Sequence, residues 1–100
     1  MDVKIYANLA AAAAELEKAQ GELFFHANGR LFFGDPRKVN EPGSDCRLLF
    51  EPSTVEAIGS VQRVVNGLNE LIAPHRKHLI AAKKKKFEAA MLRVASAERA

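Results

Sequence analysis

The dipeptide Asn28-Gly29 lies between Leu23-Phe24-Phe25-His26-Ala27 and Arg30-Leu31-Phe32-Phe33, and no other segment constrains this chain as strongly. Asparagine and glycine tolerate the positive φ angles of a type I′ turn, whose twist matches that of the strands on either side. A two-residue loop then fixes the pairing: Ala27 faces Arg30, His26 faces Leu31, Phe25 faces Phe32 and Phe24 faces Phe33. Facing residues share a side of the sheet. Phe25 and Phe32 therefore lie on one side with Leu23, and Phe24 and Phe33 lie on the other with Leu31 and His26. A sheet with one wet face alternates apolar and polar residues, and this hairpin does not. Both faces need cover, from helices on two sides or from another chain.

The flanking segments read as helix, a third strand and further helix. Ile5, Leu9, Ala12, Leu16 and Ala19 recur at helical spacing, the alanines at 10–14 are the best helix formers, and Gly21 is a natural stop. The expectation is a helix over 3–20. Residues 34–45, with two prolines and two glycines, read as a loop. Cys46–Glu51 reads as a strand with Cys46, Leu48 and Phe50 on one side and Arg47, Leu49 and Glu51 on the other.

Ser53-Thr54-Val55-Glu56 matches a capping box. The helix it opens carries a stripe of Ile58, Val61, Val65, Leu68 and Ile72, widened by Val64 and Leu71. Gly59 and Gly67 weaken that helix intrinsically and point to close approach of another backbone. Pro74 either kinks it or starts a new helix. Beyond Pro74, Ile80, Phe87, Met91 and Val94 form a narrow stripe interrupted at Lys84. The fold class expected is α+β: an N-terminal helix, a three-stranded antiparallel sheet, and one or two C-terminal helices, the last long and basic. The expectation is one domain of all 100 residues, with a body over 1–73 and a basic helix over 74–100.

Charge is segregated along the chain. Residues 1–73 hold seven Lys/Arg against ten Asp/Glu, whereas 74–100 hold eight against two. Four of those cations are consecutive, Lys83 to Lys86. Successive helical residues turn by about 100°, so the four ring the helix. Ammonium groups are costly to bury without a counter-charge, so this belt must stay wet or meet an anion. With Arg76, Lys77 and Arg93 it is a candidate contact for nucleic acid or an acidic protein surface. Only Phe87 lies nearby, which argues against stacking on single-stranded bases.

Other candidates carry less. His75 and His78 are three apart but lack a third ligand at a recognisable spacing, so no metal is expected. Cys46 is the only cysteine, which excludes an internal disulfide, and His26 belongs with the apolar pair facing it. No phosphate loop, nucleophile elbow or acid/base pair is present, so the expectation is no enzyme, no cofactor and no small-molecule substrate. No segment reaches the ~20 apolar residues of a membrane span, and no signal peptide is visible. Together with the lone cysteine, this points to a cytoplasmic protein without membrane contact.

The order helix, sheet, helix resembles in outline the small dimeric nucleoid-associated proteins of bacteria, although no motif transfers individual residues. The first functional expectation is thus a non-enzymatic, homodimeric binding module with a basic C-terminal helix. The second is an adaptor or inhibitor, of the kind carried by viruses and mobile elements. It would dock through the apolar sheet face with Phe24 and Phe33 as anchors.

Overall fold

A computed structural model describes residues 3–51 and 55–99, with side chains in the second stretch described from Gly59 onward. The elements follow the expected α+β order. They are α1 (Val3–Gly21), β1 (Leu23–Ala27), β2 (Arg30–Gly34), a short 3₁₀ turn (Pro36–Lys38), β3 (Arg47–Phe50) and α2 (Val55–Arg99). The capping box at Ser53 and Glu56 falls outside the described residues. The C-terminal region is one helix with Pro74 inside it. Contacts divide the chain into two units, one of 21–74 and one of 1–20 with 75–100. The division at 74 coincides with the change in charge, and α1 groups with the basic stretch.

In the unit of 21–74, the antiparallel sheet has the order β1-β2-β3. The hairpin register is the one that Asn28-Gly29 dictates, from Leu23 opposite Gly34 to Ala27 opposite Arg30. Asn28 and Gly29 both adopt positive φ, at 54° and 76°. On one face Phe25 and Phe32 stack at 5.4 Å, and on the other Phe24 and Phe33 meet at 4.9 Å with a 57° tilt. The second face is covered from α2. Leu31, Val61 and Val65 form the buried cluster, with Phe24 and Leu68 packed against it.

Asn69 adds a polar clamp to the same contact. Its Nδ2 donates to the Phe24 carbonyl at 2.8 Å, and its Oδ1 accepts from the Phe24 N–H at 2.9 Å. Two backbone groups on the outer edge of β1, which an edge strand otherwise leaves open, are thereby satisfied. His26 meets Gln62 nearby.

Three expectations need correction in this unit. The side-chain alternation proposed for β3 fails because its pairing shifts between Leu31 and Phe32. Phe50 faces Leu31 while Leu48 faces Phe32, so Phe50 and Leu48 lie on opposite faces and Leu49 is the extra residue of a bulge. The stripe of α2 is narrower than expected, since Val64 and Leu71 are 47% and 78% exposed. Among the described residues, nothing comes within 4 Å of where a Cβ would sit on Gly59 or Gly67, and no close backbone approach is found there.

The loop after β2 is organised by Asp35. Its carboxylate accepts from Arg37 Nε at 3.0 Å, from the second guanidinium nitrogen at 2.7 Å and from the Arg37 backbone N–H at 3.0 Å. This fork, with hydrogen bonds from Arg37 as the main cause, holds the Asp35 carboxyl down to about 2. Two glycines make room for the arrangement. A Cβ on Gly21 would lie 2.5 Å from Asp35 Oδ2, and one on Gly34 (φ +151°) would lie 2.8 Å from the Cys46 Cα.

Candidate functional site

The basic residues are positioned by the unit of 1–20 and 75–100. In α1 Ala12 and Ala19 are buried and Ile5, Leu9 and Leu16 half-buried, spaced by alternating four and three, with Tyr6 and Glu15 half-buried beside them. The first five coincide with the stripe read from the sequence. Along α2 the matching set is Arg76, Ile80, Lys83, Phe87, Ala90, Val94 and Ala97, with Ala95 half-buried beside it. This is the 3.5-residue period of two helices packed along a seam. The helices run antiparallel, because Gln20 meets Arg76, Glu15 meets Lys83 and Tyr6 meets Glu98.

The seam departs from the expected stripe at two points. Met91 is 45% exposed, and buried Ala90 takes the seam position in its place. The polar interruption falls at Lys83 instead of Lys84. Lys83 fits because its stem lies along the seam while its head reaches out to a carboxylate. Its Nζ is 3.2 Å from Glu15 Oε2, and Lys86 Nζ approaches the same oxygen at 3.2 Å. Hydrogen bonds from Lys83 and then Lys86 lower the pKa of Glu15. Half of the lysine belt has therefore found its counter-charge within the chain.

The other cations are placed differently. Arg76 is half-buried and donates to the Gln20 carbonyl at 3.1 Å, while its Nε is buried with no partner among the described residues. Lys77, Lys84, Lys85 and Arg93 are exposed. Taking 100° per residue, Lys77 and Lys84 lie about 80–100° to one side of the seam, Lys86 and Arg93 about the same to the other, and Lys85 points away from it. The seven candidate cations thus make no single flat patch. Arg76 and Lys83 lie on the seam, and the other five form two basic flanks and a tip on a helix whose fourth side packs against α1.

The remaining candidates are dispersed. His75 and His78 are exposed on α2, and Cys46 is a half-buried free thiol whose Sγ donates to the Asp35 carbonyl at 3.2 Å. Among the described residues, no group of three or more His, Cys, Asp and Glu side chains is arranged to hold a metal ion, and no helix is long and apolar enough to cross a membrane. Phe24 and Phe33, the expected docking anchors, lie on the face that α2 covers, with Phe24 against the buried cluster. The exposed apolar surface of the sheet is instead β3, where Leu48, Leu49 and Phe50 are 46–52% exposed. No family model, curated protein or solved structure matches this chain.

Proposed function

We propose that the chain is a small non-enzymatic binding module whose C-terminal helix contacts the phosphate backbone of nucleic acid through the exposed cations Lys77, Lys84, Lys85 and Arg93. The observation that carries this reading is the distribution of those charges over two flanks and a tip. A helix lying in a groove has phosphates on both sides of it, and basic flanks suit that arrangement better than they suit a flat acidic surface. Lysine acts as a point charge, so the contact is independent of base sequence. Lys83 and Lys86 hold the helix to α1 through Glu15 and contribute to the field from there.

The test is fluorescence anisotropy with a 20-base-pair duplex over a series of salt concentrations. Four phosphate contacts imply an affinity that falls with a log–log slope of about −3 to −4. Replacing Lys84 and Lys85 by alanine together should reduce that slope by about 2. Binding that ignores salt, or that survives the double substitution unchanged, would sink the reading. Capture by polyglutamate but not by duplex at any salt concentration would transfer the site to an acidic protein.

The alternative, an adaptor or inhibitor that docks on a protein through the sheet, loses support at Phe24, which lies against the core cluster. What favours it is the exposure of Leu48, Leu49 and Phe50.

A further inference from the structure

The chain contains the dipeptide Asn-Gly twice, at Asn28-Gly29 and at Asn66-Gly67, and the fold places the two in opposite circumstances. Both asparagines are exposed, so access to water does not separate them. The backbone does. Asn28 and Gly29 are the loop residues of the hairpin, at φ 54° and 76°, and the ladder ends beside them at Ala27 and Arg30. Asn66 and Gly67 lie inside α2, where the Gly67 N–H donates to the carbonyl four residues earlier. The Asn66 side chain is held as well. Its Oδ1 accepts from Gln62 Nε2 at 2.7 Å, one turn toward the N-terminus and away from the Gly67 nitrogen.

An asparagine followed by glycine brings an electrophile, its side-chain Cγ, close to a nucleophile, the next backbone nitrogen, with no Cβ on that residue to obstruct them. We propose that Asn28 is a site of spontaneous deamidation in the folded protein, from which α2 protects Asn66. The Gly29 nitrogen gives up its proton to solvent base and attacks Asn28 Cγ. The new N–Cγ bond closes a succinimide ring, and the Cγ–Nδ2 bond breaks, releasing ammonia that takes a proton from solvent. Water then opens the ring. Hydrolysis of the N–Cγ bond leaves an aspartate in an ordinary chain. Hydrolysis at the main-chain carbonyl of residue 28 leaves an isoaspartate, with the chain running through the side-chain methylene.

Ring closure requires the local backbone to open, and the two sites open at different cost. At the tip of the hairpin only the terminal pair of Ala27 and Arg30 is disturbed. At Gly67 helical hydrogen bonds must break beside Val65 and Leu68, which pack with Leu31, and beside Asn69, which clamps β1. The products also differ in consequence. Asp-Gly is itself a type I′ pair, so the aspartate keeps the hairpin. The isoaspartate lengthens the loop by one main-chain atom and unsettles the register that the loop fixes.

Ageing the full chain in mildly alkaline buffer, once folded and once in denaturant, tests the proposal. Mass spectrometry of the tryptic peptides 19–30 and 64–76 reads the amide-to-acid mass gain at each asparagine. Labelling by an isoaspartyl methyltransferase reads the second product. In the folded protein Asn28 should convert about tenfold faster than Asn66 or more, and in denaturant the two rates should converge, because the dipeptides are then alike. Asn28→Gly keeps a Gly-Gly turn and should remove the gain from 19–30. Conversion of Asn66 as fast as Asn28 in the folded protein would overturn the proposal. So would an Asn28 that resists ageing in the folded protein while the denatured chain reacts, or a gain in 19–30 that persists in the Asn28→Gly variant.

Discussion

The sheet unit and the helical pair solve the same problem, holding a small number of elements together, by different means. In 21–74 the packing is specific in shape. Leu31 is buried under Val61 and Val65, Gly34 abuts Cys46 with no space for a Cβ, and Asn69 takes both backbone groups of Phe24. In the other unit the buried positions among the described residues are Ala12, Ala19 and Ala90, and a lysine occupies the middle of the seam. Small side chains let two helices approach, but each contributes little buried area. One unit is held mainly by shape and the other more by close approach and charge. The two should therefore fail differently when perturbed.

The largest expected effect is in the shape-dependent unit. Gly34→Ala adds a methyl group 2.8 Å from the Cys46 Cα and 2.9 Å from its Sγ, at a φ of +151° that L-residues avoid. Backbone strain and overpacking together should cost about 4 kcal/mol. Chemical denaturation measures it, and a loss below about 1 kcal/mol would mean that this loop yields and is not held by shape. Asn69→Ala comes next. It strands a partly buried N–H and C=O of Phe24, for an expected loss of about 2 kcal/mol. Faster amide exchange at Phe24 than at Phe25 in the variant would locate the damage on the outer edge of β1.

Much of this contrast was legible in the sequence, and the parts that were not were hidden for separate physical reasons. Asn28-Gly29 determined the hairpin pair for pair, because turn geometry is local. The stripe of α1 was equally readable, because period and burial agree there. The bulge at Leu49 was hidden, since Leu48-Leu49 looks the same whether or not one of the two is extra. The role of Lys83 was hidden for another reason. A search for large apolar residues skips a lysine, and its carboxylate partner Glu15 lies 68 residues away in sequence. The cations were therefore visible as a group, but the separation of Lys83 and Lys86 from Lys84 and Lys85 needed the pairing of α1 with α2. The Asp35–Arg37 fork lies in a segment whose composition reads as loop, although Asp-Pro-Arg after a strand is a capping signal.

A smaller effect with the opposite sign tests whether shape specificity extends along α2 as it passes through 21–74. Gly67 sits on the exposed side with nothing within 4 Å of a Cβ. Gly67→Ala should therefore stabilise the protein by about 1 kcal/mol through helix propensity alone. A thermal melt reads it directly. A destabilised variant would reveal a neighbour at that face and return Gly67 to the close-approach role that its size suggests.

The smallest effect separates the units by their response to acid. Glu15 and Asp35 both have folded pKa values below their ordinary ones, so each stabilises the fold above its ordinary value, and that stability is lost as pH falls through the lowered one. The depths differ for a structural reason. Asp35 is gripped by a guanidinium fork and a backbone N–H and stays ionised down to about 2. Glu15 meets two lysine heads at 3.2 Å on an exposed rim, where water and salt compete for the same carboxylate. As the solution is acidified below the ordinary value of 4.5, the contact of Glu15 with Lys83 and Lys86 should go first, while the Asp35 loop holds until about 2. Carboxyl carbon shifts followed by NMR, with amide exchange in α1 around Glu15 and in the turn at 36–38, resolve the order. Added salt should also shift the Glu15 titration toward its ordinary value and leave that of Asp35 nearly in place. If the two carboxylates titrated together, or if Asp35 released Arg37 before Glu15 released the lysines, the distinction between a unit held by shape and one held by charge would fail at the point where charge is most directly measured.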